Sequence, residues 1–203
     1  MKNIVALTGA GISVASGLPT YTEESRQKFS DLHTTEAMLN LYWHDLAGWL
    51  HARPNAAHLA LAKHGVKVIT QNIDNLHLWA GSTELIELHG NLREFYCPAC
   101  GYLAEAAPAP GEYIICPHDD HHLRPNIVFY GENVHRFDET LSWVAVADHL
   151  LVIGTSLTVF PAANLVALAE YKRIPVTVIN AEAETEVPKV LQRLFDQMTV
   201  PKT

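Results

Sequence analysis

The sequence predicts an α/β fold, a doubly wound parallel sheet that carries a small inserted module. Short apolar runs end repeatedly in small or polar residues, at Thr8-Gly9, Gln71-Asn72, Gly154-Thr155-Ser156 and Asn180. Helix-period segments separate those runs, as parallel strands require, because each needs a crossover to reach the next. One stretch, residues 92–130, breaks the alternation and holds all three cysteines.

Ile4-Val5-Ala6-Leu7 is the first strand and runs into Thr8-Gly9-Ala10-Gly11-Ile12-Ser13. A strand, a Gly-rich turn and a helix open a nucleotide-binding unit: glycines let backbone approach a phosphate, and helix amides point at it. The spacing Gly9, Gly11, Gly17 is not GxGxxG, and an ordinary strand-to-helix turn fits it too. Residues 18–35 read as loop, broken by Pro19 and Thr20. Residues 36–51 carry helical spacing through Met38, Leu39, Leu41, Tyr42, Leu46, Trp49 and Leu50. Pro54 opens a second helix through Ala62. His58 on that helix reads as a structural histidine rather than a ligand.

Val66-Lys67-Val68-Ile69 is a buried strand that ends in Thr70-Gln71-Asn72-Ile73-Asp74, with Leu88-His89-Gly90 close behind. The carboxyl edge of a parallel sheet is where ligands bind. An amide, a carboxylate and a histidine gathered there can hold a polar ligand and move a proton. Asp74 equally fits a helix cap. After the cysteine stretch, residues 136–147 read as helix, 149–153 as strand, 162–172 as helix, 176–179 as strand and 188–197 as a last helix.

Composition narrows the function classes. With 14 Lys+Arg against 22 Asp+Glu the net charge is −8, and no basic run is visible, which argues against nucleic acid as main partner. A cationic partner such as a lysine-bearing peptide is compatible with that charge. No stretch approaches the length of a membrane span. An odd number of cysteines and no recognisable signal sequence point to a cytoplasmic chain whose cysteines serve metal rather than disulfides.

Cys97-Pro-Ala-Cys100 is a knuckle, and fifteen residues separate it from Cys116, followed by Pro117-His118-Asp119. A paired CxxC at such a gap is a zinc signature; here Asp119 stands at the fourth position. Carboxylate oxygen binds zinc, and His118, His121 or His122 could also serve. So closed a ligand set makes the metal structural rather than catalytic.

The blocks Gly9-Ala-Gly-Ile-Ser13, Ser16-Gly-Leu-Pro19, Pro54-Asn-Ala-Ala-His58, Thr70-Gln-Asn-Ile-Asp74, Asn75-Leu-His77 and Leu88-His-Gly90 resemble those of the sirtuins, NAD-dependent protein-lysine deacylases. The cysteine module, Leu123-Arg-Pro125, Phe129-Tyr-Gly-Glu132, Gly154-Thr-Ser156 and Pro161-Ala-Ala163 follow in family order, and the whole resembles a short bacterial-type member. The resemblance implies a Rossmann-like part, residues 1–91 and 131–203, with a small zinc-binding insert at 92–130. NAD and an acylated lysine would meet in the cleft between them. It implies His89 as general base, with Asn72 and Asp74 at the nicotinamide end and its ribose. Gly9, Ala10, Gly11, Ile12, Ser13, Gly17, Pro19, Thr20 and Tyr21 would form the cofactor loop. Gln71 would lie against the nicotinamide-side ribose, Ile73 would also touch the cofactor, and Gly154, Thr155, Ser156 and Asn180 would hold the adenosine half. Tyr42 would face the acyl group, and Ile127, Val128, Phe129, Tyr130 and Gly131 would form the edge on which an extended peptide adds as a strand. Cys97, Cys100, Cys116 and Asp119 would hold zinc.

The chain departs from the family pattern at several of these points. Where the family continues Pro-x-Phe-Arg, this chain has Pro19-Thr20-Tyr21-Thr22, so a cationic contact is missing. That keeps NAD hydrolysis or ADP-ribosyl transfer in the same site in view; a non-catalytic NAD-binding adaptor is the other alternative, and Asn72, Asp74 and His89 together argue against it. The segment between Asn180 and the last helix is also short. The succinyl-preferring subgroup carries Tyr-x-x-Arg, where this chain has Tyr42 and Asp45. A carboxylate facing an acidic acyl group repels it. Side-by-side assays of acetyl- and succinyl-lysine peptides are therefore expected to show faster turnover of the acetyl substrate.

Overall fold

The computed structural model describes residues 2–30, 32–106, 108–157 and 162–196. β1 (Ile4–Thr8) leads into a 3-10 turn, Ala10–Ser16, and then α1 (Glu23–Ser30). α2 (Thr35–Leu41) continues through a π turn, Tyr42–Leu46, and a 3-10 turn, Ala47–His51, before α3 (Ala56–Lys63). Next come β2 (Lys67–Thr70), the single-turn α4 (Leu76–Trp79), β3 (Leu85–Glu87), β4 (Gly90–Tyr96), β5 (Leu103–Glu105) and β6 (Arg124–Ile127). The chain closes with α5 (Phe137–Ala145), β7 (His149–Ile153), α6 (Ala162–Tyr171), β8 (Val176–Ile179) and α7 (Ala183–Asp196).

Five strands form one all-parallel sheet in the order β3-β2-β1-β7-β8. Alternate residues of β1 face opposite layers, as the pleat demands. Ile4 and Ala6 pack with Ala57 and Leu61 of α3 and Val187 and Leu191 of α7. Val5 and Leu7 pack with Val144 of α5 and Leu165 and Ala169 of α6. The expected doubly wound sheet is thus present, with helices on both faces. Strand order reverses beside β1, between β2 and β7, the switch point at which open sheets bind ligands.

β4, β5 and β6 make a separate antiparallel sheet in the order β5-β4-β6. Leu92 and Phe95 of β4, with Leu123 and Phe129 on either side of β6, share one cluster with Met38, Leu39, Tyr42 and Leu46. The cysteine stretch therefore shares its core with the helical segment that precedes α3. The two sheets are joined directly at Gly90, which follows His89 in a left-handed conformation (φ 76°). A Cβ there would collide with the carbonyl of Asn126, so only glycine fits.

Several local expectations need correction. Residues 23–30 are not loop but α1, which buries no residue and so shows no apolar period. Polar signals start it: the Thr22 hydroxyl accepts from the Ser25 amide, and Glu23 and Glu24 sit in the first turn. The helix expected over 36–51 tightens and loosens after Leu41 into π and 3-10 turns. The turn after β1 winds as a 3-10 segment rather than an α-helix. β3 is a fifth strand of three residues, too short to show a period. The last helix begins at Ala183, with Pro188 inside it, where proline gives up one backbone bond. Pro161 and the expected helix end at Gln197 lie outside the described residues.

His58 is structural, as its place on α3 suggests. Its Nδ1 accepts from the Asn55 amide (3.4 Å) while the Asn55 side chain accepts from the amide of Ala57, closing the helix start. Its ring packs against that of His77, tilted by 59° at 4.7 Å between centroids, and His77 Nε2 meets the Thr8 hydroxyl at 3.0 Å. Burial lowers the His58 pKa to about 4, and burial with the neighbouring His58 lowers that of His77. Between these values and the ordinary 6.5 the unfolded chain binds protons that the folded chain refuses. Stability present above pH 6.5 is therefore lost on acidification. Denaturant unfolding at pH 7.5 and pH 4 is expected to show a loss of about 3 kcal/mol from His58 alone. A His58→Asn variant, less stable at pH 7.5, should lose correspondingly less.

Candidate active site and metal centre

The strand ends at the switch point are drawn together by backbone. Gly9 N donates to Ile153 O (2.9 Å), Gly11 N to Gly154 O (2.8 Å) and Gln71 N to Thr8 O (2.9 Å). The two glycine-bearing loops touch so closely that a Cβ on Gly9 would sit 2.7 Å from Thr155 Cβ, and one on Gly11 2.6 Å from Gly154 Cα. Beside this junction opens a cavity of about 680 Å³. Its walls include Gly9, Ala10, Gly11, Ser13, Pro19, Thr20, Tyr21, Gln71, Asn72, Ile73, Asp74, His89, Ile127, Val128, Phe129, Tyr130, Gly131, Gly154, Thr155, Ser156 and Asn180. Residues far apart in the sequence, expected at the site from their motifs, thus share one space.

Three of the expected site residues stand elsewhere. Tyr42 is turned into the core, edge-on to Phe95 at 5.0 Å, so it does not face the cavity. Ile12 is fully buried under the sheet, and Gly17 makes the left-handed turn that ends the 3-10 segment. Asp45 of the π turn, the carboxylate expected to face the acyl group, does stand in the wall, but motif and spacing gave no sign of Lys28 and Phe29 of α1 or of Leu46 and Trp49 beside it. The missing signal was α1 itself, whose polar face carries Lys28 to within 3.7 Å of Asp45.

The polar groups form one chain. Asn72 Nδ2 donates to Ser13 Oγ (3.1 Å), and Ser13 Oγ donates to Asp74 Oδ2 (2.6 Å). Asn72 Nδ2 also approaches Gly9 O and Asp74 Oδ2, at 3.2 Å each. Asp74 Oδ1 accepts from the amide of Leu76, so the same carboxylate lines the cavity and opens α4. Burial raises its pKa, against the hydrogen bonds from Ser13, Leu76 and Asn72 that lower it. All three partners are neutral, so the site favours a positive charge arriving with a ligand. Gln71 Nε2 donates to Thr155 Oγ1 (2.9 Å), tying β2 to β7.

His89 Nδ1 lies 2.8 Å from Gln71 O. A carbonyl oxygen only accepts, so Nδ1 carries the proton and Nε2 keeps its lone pair. Burial lowers the His89 pKa, the hydrogen bond to Gln71 opposes that, and His135 adds to it. The ring is a neutral base of fixed tautomer in the cavity wall. The glycine cradle, the buried Asp74 and this base suit a dinucleotide with a cationic end, so the residues present fit NAD.

The second centre lies in the cysteine module. Ligand atoms of Cys97, Cys100, Cys116 and Asp119 all fall within 4.8 Å of one another. Zinc–sulfur bonds of about 2.3 Å place tetrahedral ligands somewhat under 4 Å apart, so the group fits zinc. Cys100 Sγ and Cys116 Sγ are 3.5 Å apart, and Cys97 Sγ stands 3.2 Å from Asp119 Oδ2. The histidines are otherwise engaged: His118 packs on Tyr102, His122 stacks on Tyr113, and His121 Nδ1 meets Asp119 Oδ1 at 3.3 Å. Metal analysis is expected to find one zinc per chain, and Cys116→Ala to release it and lower Tm. Asp119→Cys should hold the metal against a chelator longer than the native tetrad, since thiolate is the softer ligand.

A sequence model of the Sir2 family matches residues 9–161. An NAD-dependent protein deacylase of Aggregatibacter actinomycetemcomitans is 40% identical over 187 residues, covering 82% of this chain and 88% of that one. An NAD-dependent protein deacetylase of Caldivirga maquilingensis is 38% identical over 202 residues, covering 89% and 79%. Among solved structures, a Sir2 homologue in complex with ADP-ribose superposes with a TM-score of 0.87 at 27% identity, covering 98% of this chain and 94% of that one. Sir2 bound to acetylated peptide superposes at 0.77 and 30% identity, covering 96% and 92%. A match over three quarters of the chain, relatives at this identity and a shared fold have one meaning: the chain belongs to the Sir2 family, the sirtuins.

Proposed function

We propose that the protein is an NAD-dependent protein-lysine deacylase, chiefly a deacetylase, with His89 as its general base. The observation that carries the reading is the His89 tautomer, fixed by Gln71 O beside the Asn72–Ser13–Asp74 chain. A module that only bound NAD would have no need of such a base. When bound, NAD supplies a sugar carbon activated by a positively charged nicotinamide leaving group. His89 Nε2 then takes a proton from a hydroxyl of the bound reactants. Asn72 and Asp74 orient the nicotinamide end, and the Asp74 charge favours the cationic form. Gly9, Ala10, Gly11 and Ser13 line the pyrophosphate, Gln71 the nearer ribose, and Gly154, Thr155, Ser156 and Asn180 the adenosine. The segment 127–131 receives the peptide as an added strand.

In this reading residues 1–91 and 131–203 form the cofactor part, and 92–130 is a zinc-bearing insert packed on the helical segment 35–51. Among the described residues no helix is long and apolar enough to cross a membrane. A second reaction in the same site, NAD hydrolysis or ADP-ribosyl transfer, is favoured by one observation. Thr22, which stands where the family has arginine, is spent on capping α1.

Mass spectrometry of an acetyl-lysine peptide incubated with NAD separates these readings. Deacylation gives O-acetyl-ADP-ribose, whereas hydrolysis gives free ADP-ribose with the peptide untouched. His89→Ala is expected to slow the wild-type reaction by about 10²–10⁴-fold. Because burial lowers the His89 pKa, the acid limb of kcat/KM should fall below the ordinary imidazole value of about 6.5.

A further inference from the structure

We propose that Tyr21 and Tyr130 form a latch across the peptide side of the cavity, which an incoming acyl-lysine peptide must open. The proposal rests on the deacylase reading. The two phenol oxygens are 2.9 Å apart, and the residues are separated by 109 positions in the chain. Both line the cavity, and both are exposed (44% and 42%), so their hydrogen bond spans its mouth rather than its floor. Tyr21 stands in the cofactor loop just before α1, and Tyr130 in the peptide edge just after β6.

The two walls are held very differently. Tyr130 sits in a turn closed by Glu132 N donating to Phe129 O (3.1 Å) and Phe129 N donating to Glu132 Oε2 (2.9 Å). Buried Arg124 clamps that turn: it pairs with Glu132, donates to Ile127 O (2.8 Å) and lies over the Phe129 ring at 4.9 Å. Among the described residues the Tyr21 wall shows no buried ion pair of this kind. α1 buries no residue. Its contacts to the body include Phe29, half-buried against the cluster around Phe129 with its ring 6.2 Å from Tyr21 and 6.0 Å from Phe129, the exposed Lys28–Asp45 pair, and the latch. In a segment held so lightly, one hydrogen bond is a large share of what keeps it closed. A peptide strand laid along 127–131 passes Tyr130, and its acyl-lysine enters between the two tyrosines. Opening therefore moves the α1 side, which also carries Pro19 and Thr20 of the cofactor loop. The latch couples peptide entry to the position of that loop.

Full-length wild type, Tyr21→Phe, Tyr130→Phe and the double variant test this through two readouts. One is the affinity for a fluorescent acetyl-lysine peptide; the other is hydrogen–deuterium exchange of residues 18–30. Each single variant is expected to bind peptide about 2- to 10-fold tighter, the range set by one net hydrogen bond. Amides of residues 18–30 should exchange faster to the same degree. The double variant should match the singles, because the bond is already gone. Unchanged exchange, unchanged or weakened peptide affinity, or additive effects would overturn the latch while deacetylation by the wild type stands. Faster exchange with no peptide bound by any of the four proteins would overturn the deacylase reading, and the gating role with it.

Discussion

The site depends on the contact between two loops at the switch point of the sheet. Gly9 and Gly11 press against Gly154 and Thr155 at distances that leave no room for a side chain. That contact brings the ends of β1 and β7 within backbone hydrogen-bonding reach, and Gln71 at the end of β2 joins them through Thr8 O and Thr155 Oγ1. Only once these ends meet do Asn72, Ser13 and Asp74 form a connected chain. A parallel sheet supplies the edge; the missing side chains let the edge close into a site.

Polar groups at this junction serve structure and chemistry together. Asp74 opens α4 and also faces the cavity, so the helix-cap reading and the ligand reading of that residue describe one carboxylate. Asn55 is similarly shared: it caps α3 and donates to Ile12 O and Ser16 Oγ, which fixes the glycine turn from below. Neutral His58 and His77 lie beneath the same region, packed against each other and buried. Charge is thus concentrated on Asp74, above an uncharged floor.

The parts legible in the sequence were those written as local rules. Buried strands read as apolar runs, the cavity lining as polar residues at their ends, and the metal centre as cysteine spacing. What stayed hidden depends on tertiary context. α1 has no apolar face, and its capping threonine sits in a segment marked by proline as loop. β3 exists because β2 offers it a partner. Tyr42 carries a sequence signal for a ligand-facing residue, yet the helix winding after Leu41 turns it onto Phe95. Which side of a helix meets the cavity is decided by packing, and spacing alone does not give it.

Gly90 has a further consequence. It permits the sharp passage from the large sheet into β4, and the residue before it, His89, accepts through its carbonyl from Val128 N at 2.9 Å. His89 and the segment 127–131 that follows β6 are therefore stitched to one another by main chain. Under the proposed function, a peptide strand added beside that segment is measured against His89 as against a ruler, in steps of two residues, because a slip of one turns its side chains to the other face. Discrimination among substrates would then rest on whether a lysine lies in a stretch loose enough to be drawn out straight, and far less on the identity of its neighbours.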